Sequence, residues 1–156
     1  MKNSLKHYLY DLQYGVEKLI EWFPTIWMDR DWDGDYVYRV LLKKIRLMEK
    51  HNEDYDQFVG QALQYVEIHQ CRRLLERIVA GEYLFEELKP VEEKYGEFHF
   101  DFEDLGNGFH KSIERWVCEE HQIAWDEASK RADEREKQDK ALLWKTLQEK
   151  LDCWWD

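Results

Sequence analysis

The chain has 156 residues, of which 37% are charged, and its 34 acids against 23 lysines and arginines leave a formal net charge of −11. That balance opposes direct binding to nucleic acid or to an anionic membrane, since a phosphate backbone rewards clustered Lys and Arg, and no stretch approaches the roughly 20 apolar residues of a membrane span. A composition rich in Glu, Lys, Leu, Gln and Arg, with only 7 Gly and 2 Pro, predicts one helical domain over residues 1–156, with 8 Trp to help fill its core.

The first helix is expected over Ser4 to Phe23, where Ser4 suits a cap and Leu5, Tyr8, Leu9, Leu12, Val16, Leu19, Ile20 and Phe23 recur at three and four; Pro24 should end it. An irregular aromatic and acidic connection follows from Thr25 to Gly34, with Trp22, Trp27 and Trp32 expected to pin it to the core. A second helix is predicted from Asp35 to Lys50 on the stripe Val37, Val40, Leu41, Ile45 and Met48, stopped at His51 to Asp54. The third, Asp56 to Ala80, carries Ile68, Cys71, Leu75, Ile78 and Val79 on one face and Val59, Leu63, Val66 and Leu74 on another, the pattern of a central helix, and Gly81 should break it.

A shorter helix is expected from Tyr83 to Tyr95, kinked or split at Pro90 and closed at Gly96. Glu97 to Gly108, with three Phe and two Gly, reads as a loop folded back on the core, and Phe109 to Trp155 as helical almost throughout. Asp126 to Lys140 has only Ala as apolar content, so it is predicted to be a solvated helix or a break, supported by the pairs Glu127/Arg131, Asp133/Lys137 and Glu136/Lys140. Leu143, Leu147 and Leu151 then resume an apolar stripe. The terminal Trp154 and Trp155 should dock on this domain or on a second copy, which would make the chain a homo-oligomer.

The run Trp22-Phe23-Pro24-Thr25-Ile26-Trp27-Met28-Asp29-Arg30-Asp31-Trp32-Asp33, followed by Tyr36, Leu41-Leu42, Lys44 and Met48, and later Leu74-Leu75-Glu76-Arg77, Tyr95-Gly96 and Trp154-Trp155-Asp156, resembles a widespread family of uncharacterised tailed-bacteriophage proteins over most of the chain. The chain departs from that pattern at Gly34, where a bulky residue is expected. The resemblance confers no activity. It implies a phage product present in the host cytoplasm during infection, with an accessory or counter-defence role.

Three sets of residues invite chemistry. Asp29, Asp31 and Asp33 before Gly34 match the first half of a calcium loop, but Val40 stands where a bidentate Glu is needed, and the plainer expectation is that these carboxylates cap the second helix and pair with Arg30. Arg39, Lys43, Arg46 and Lys50 share one face of the second helix, and His69, Arg73 and Arg77 one face of the third. Brought together these stripes would make an anion groove; acids from elsewhere would otherwise neutralise them. Trp27, Trp32, Trp154 and Trp155 are candidates for contact with a protein partner.

Support for catalysis is thin. Cys71 lies on an apolar stripe and reads as an inert core thiol, Cys118 and His121 stand at i,i+3 without a visible oxyanion hole, and the three cysteines form no Cys-x-x-Cys pair. The start of the chain lacks the apolar segment of a secretory signal, so a cytoplasmic location is expected. The sequence therefore predicts an all-α, multi-helix bundle of about five to six helices with a long C-terminal helical region. It is expected to work without a cofactor, by binding a host protein; sequestration of a nucleotide-like signalling molecule is the alternative, and a metal-dependent hydrolase the third reading.

Overall fold

The computed structural model describes residues 2–30, 32–54, 61–106 and 108–154, and the protein is essentially all-α across them. Helices α1 (Lys2–Trp27), α2 (Tyr36–Asp54), α3 (Gln61–Ala80), α4 (Tyr83–Tyr95) and α5 (Glu119–Lys150) are joined by one antiparallel hairpin, β1 (His99–Asp104) and β2 (His110–Arg115), and a 3-10 turn ends the described chain at Leu151–Trp154. The chain divides into two compact units, Met1–Leu75 and Glu76–Asp156, with the boundary inside α3.

In the first unit, α1 does not stop at Pro24 but continues one turn to Trp27. Pro24 sits on an exposed face, and the ring of Phe23 lies 5.2 Å from that of Trp27 one turn on, a contact that helps hold the last turn closed. The larger departure concerns burial. The stripe expected to enter the core is exposed along its whole length, from Leu5 to Ile20 and Phe23, while the half-buried residues Gly15, Lys18, Glu21, Trp22 and Thr25 lie roughly a third of a turn round the helix. Glu21 on that shielded face feels Lys18 most, then Lys43 and Lys50 of α2, which hold its carboxyl below the usual range. Trp27 and Trp32, expected to be pinned inward, are 69% and 84% exposed.

Helix α2 runs four residues past Lys50, through the segment expected to stop it. Its buried face is Leu42, Ile45, Met48 and Glu49 together with Tyr36, whereas Val37 and Val40 point outward. On α3, Ile68, Cys71 and Leu75 of one face are buried as the pattern requires, whereas on the other face Leu74 is buried and Leu63 and Val66 are exposed. The expected start of that helix at Asp56, with Val59, falls outside the described residues.

The second unit is built on α4 and α5. Gly81 and Gly96 bracket α4 at φ +65° and +89°, backbone settings that glycine adopts without strain, and the Gly96 N–H donates back to the Glu92 carbonyl at 2.8 Å. Pro90 is accommodated within the helix. Leu88 and Val91 pack against Ala128, flanked by Tyr95, Ala124 and Trp125. This corrects the expectation that the Ala-only stretch of α5 stays out of the core: Ala128 and Ala132 are buried, because a methyl side chain lets a neighbouring helix approach closely. Across 119–150 the helix is unbroken, and Glu127/Arg131 and Glu136/Lys140 stand at 3.9 and 2.7 Å. Leu143, Leu147 and Trp154 are buried.

Residues 97–118 are the main correction to the chain-order reading. They form neither a loop nor the start of a helix but a hairpin, with Phe100 opposite Glu114, Phe102 opposite Ser112 and Glu103 opposite Lys111. Its turn is closed by the Leu105 N–H donating to the Phe109 carbonyl and the Phe109 N–H donating to the Gly106 carbonyl, with Gly106 and Gly108 at positive φ. Cys118 then caps α5 in extended backbone, and Glu119 and Glu120 occupy the first turn, where the helix dipole favours acids.

Candidate functional site

The acidic connection is organised by its own backbone. Asp33 Oδ1 accepts from the Asp35 N–H at 3.1 Å, the Asp33 carbonyl accepts from the Tyr36 N–H at 3.1 Å, and Arg30 Nη1 donates to the Asp29 carbonyl at 2.8 Å. Asp33 thus shapes the entry to α2. Asp31 lies outside the described residues, and among the described residues no group of three or more His, Cys, Asp or Glu is placed to hold a metal ion.

Two members of the basic stripes, His69 and Arg77, stand against acids. On α2, Arg39 and Arg46 are exposed and Lys43 is half-buried near Glu21. From α3, His69 Nδ1 lies 2.7 Å from Glu49 Oε1, and Arg72, a residue the sequence did not single out, forms an ion pair with Glu49, Nε standing 2.6 Å from Oε2. The Glu49 side chain that links α2 to α3 is itself buried and is flanked by two basic groups. Arg73 is exposed. Arg77 belongs to the second unit, where its Nη2 is 3.2 Å from Asp139 and its guanidinium lies over the Tyr83 ring at 5.4 Å.

Asp139 is also the acceptor for the Tyr83 hydroxyl at 2.7 Å, and burial, with the carboxylate beside it, pushes that phenol above its ordinary range. Next along the same seam, Glu87 receives Arg131 Nε at 3.0 Å and Arg135 Nη1 at 2.7 Å, while Arg135 Nη2 reaches Glu86 at 2.8 Å. The hydrogen bonds from Arg131 and then Arg135 hold the Glu87 carboxyl below its ordinary range. A hollow of about 50 Å³ lined by Arg77, Ala80, Glu82, Tyr83 and Glu86 opens there. Small-molecule sites run to roughly 300–1,000 Å³, so a nucleotide does not fit in it.

Two of the three groups considered for nucleophilic chemistry are buried. Cys71 is fully buried, and desolvation, with Glu67 adding to it, pushes its thiol up to about 11, which leaves no thiolate to attack with near neutral pH. His121 is fully buried too. Its Nδ1 faces the Val117 N–H at 3.5 Å and its ring stacks on Tyr95 at 5.2 Å and meets Trp116 edge to face at 5.3 Å. This ring is part of an aromatic box with Tyr95 and Trp116.

That box anchors the feature the sequence reading missed. Phe98 lies 4.4 Å from Trp116, 4.7 Å from Trp125 and 4.5 Å from Phe100, ring centre to ring centre, so the base of the hairpin is bolted to α5 by packed rings. Beyond the base, Phe102 and Phe109 stand 70% exposed, with Phe100 and Leu105 also in solvent. Around them the segment Glu97–Arg115 carries the acids Glu97, Asp101, Glu103, Asp104 and Glu114 against Lys111 and Arg115. The alternation Phe98, Phe100, Phe102 was the available signal, a period of two that belongs to a strand. Of the four Trp proposed for partner contact, Trp27 and Trp32 are exposed, Trp154 is buried in the 3-10 turn, and Trp155 lies outside the described residues. Comparison of the chain with protein-family models, with curated proteins and with solved structures finds no match in any of the three.

Proposed function

We propose that the chain is a non-enzymatic binding protein whose partner is another protein, engaged by the aromatic hairpin of the second unit. The observation that carries this reading is the pairing of exposed Phe102 and Phe109 with a rigid base at Phe98, Trp116 and Trp125. Large rings held out in water on a braced support lose little entropy on docking, which is what an anchor residue requires. The surplus of carboxylates around them favours a partner whose apolar pocket is rimmed by Lys or Arg. In the phage setting implied by the resemblance, that partner is a host protein, and an accessory role against host defence is the reading we adopt. Sequestration of a nucleotide-like anion is less well supported, because His69 and Arg77 already face Glu49 and Asp139.

The test compares wild-type bait with a Phe102→Ser, Phe109→Ser bait in extracts of the host, followed by reconstitution with the purified captured protein. The reading expects a protein retained by the wild type and lost with the double variant, with affinity that weakens as salt rises. Equal retention by both baits removes the hairpin from the account.

A further inference from the structure

The apolar residues of α1 form a stricter pattern than a general amphipathic helix. Leu5, Leu9, Leu12, Val16, Leu19, Phe23 and Ile26 are spaced four, three, four, three, four and three, the alternation of a coiled-coil seam sustained over three heptads. In the structure every one of the seven is exposed, from 47% at Val16 to 69% at Leu5 and Leu19. The charged residues His7, Asp11, Glu17, Lys18 and Glu21 all fall at the three outer positions of the same repeat, and Pro24 is outside the seam as well. The two positions that border the seam hold Lys6, Tyr8, Gln13, Gly15, Ile20, Trp22 and Trp27, which bring a single charge to the contact.

We propose that this face is the docking site for a second copy of the chain, joined α1 to α1 as a two-stranded coiled coil. Area favours that occupant. Burying a Leu, Ile, Val or Phe side chain removes roughly 60–120 Å² from water, so the seven seam residues with Tyr8, Ile20 and Trp27 offer roughly 900 Å². A stable interface uses about 800 Å² on each side. Charge favours it too. The chain as a whole carries −11, yet α1 holds Lys2, Lys6 and Lys18 against Asp11, Glu17 and Glu21 and is neutral, so this is where an identical acidic molecule approaches with least repulsion. Length agrees: Leu5 to Ile26 spans about 33 Å at 1.5 Å per residue, enough to interlock every seam layer. The site is separate from the hairpin and stands or fails without it.

Sedimentation equilibrium of the full chain from nanomolar to tens of micromolar is the test, with Leu12→Glu and Leu19→Glu on the seam and Tyr14→Glu on the outer face. We expect a dimer for the wild type and Tyr14→Glu, and a Kd weakened at least ~10-fold by either seam variant. A wild type that stays monomeric, or a dimer unaffected by both seam variants, overturns the proposal. Should the seam variants misfold by circular dichroism, cross-linking of mixed light and heavy isotope copies of the wild type decides it. Lysine links between Lys6 or Lys18 of different copies are expected, and links between copies confined to other elements are the contrary result. Phe102→Ser with Phe109→Ser leaves the dimer intact, which separates this surface from the hairpin.

Discussion

Replacing Tyr83 with Phe deletes one hydroxyl from the seam between α4 and α5 and leaves the ring in place. That hydroxyl, on a side chain 5% exposed, donates to Asp139 at 2.7 Å. A buried hydrogen bond to a charged acceptor contributes about 1.5–3 kcal/mol, and because Asp139 keeps Arg77 at 3.2 Å the carboxylate is not stranded, which puts the cost near the low end, about 1.5 kcal/mol. For a chain of this size the loss is a fall of about 3–6 °C in Tm. The pH dependence gives the sharper discrimination. Burial and Asp139 raise the phenol above its ordinary value of 10.0, so the folded state holds this proton more tightly than the unfolded one. The associated stability is fully present below pH 10 and is lost as pH climbs beyond it. The variant has no such proton. Urea denaturation at pH 8 and near pH 11 should therefore show a gap between wild type and Tyr83→Phe that narrows at the higher pH. An equal gap at both values, or none at pH 8, would refute the assigned hydrogen bond.

Other perturbations test different parts of the account. Leu88→Ala, at the centre of the α4 and α5 contact, should cost about 3 kcal/mol by denaturant titration, since a fully packed Leu leaves a cavity behind; a cost below 1 kcal/mol would mean that the helices do not pack there. Glu87→Gln should flatten the acid limb of the stability curve: the depressed carboxyl contributes stability above its unfolded value of 4.5 that is lost as pH falls, so the wild type and variant should converge toward pH 3. Gly106→Ala forces a side chain onto φ +75° and should weaken the hairpin by about 1 kcal/mol, seen as loss of cross-strand nuclear Overhauser contacts between 99–104 and 110–115 while the helical signal holds. In a thiol-labelling time course at pH 8, Cys153 should react quickly and Cys71 only on unfolding; comparable rates would contradict the burial of Cys71.

Helices were legible where local signals and packing agree. Gly81 and Gly96 give α4 its limits because nothing else tolerates their backbone as readily, and the face Ile68, Cys71, Leu75 on α3 is buried as its spacing requires. Where tertiary contacts outweighed a local rule, the sequence misled. Pro24 is a strong stop signal, yet the last turn of α1 survives with Phe23 against Trp27. Ala128 and Ala132 look too small for a core, and they are in it because α4 comes close. The hairpin was hidden by its glycines, which read as a loop although Gly106 and Gly108 are what lets the Phe-bearing β1 turn back into β2. For the candidate site the limit is of another kind. The apolar period of α1 is plain in the sequence, but period reports that a face wants to leave water and not what covers it. Charge has the same ambiguity: His69 and Arg77 align on α3, and only the fold reveals Glu49 and Asp139 opposite them.

Hydroxyl-radical footprinting of the full chain, read by mass spectrometry across protein concentration, bears most directly on the claim that this molecule displays large apolar side chains for docking. Phe102 and Phe109 should be oxidised readily at every concentration, Phe98 and Trp154 should stay protected, and Leu12 and Leu19 should be reactive when dilute and shielded when concentrated. Phe102 and Phe109 as protected as Trp154 in the dilute protein would contradict it.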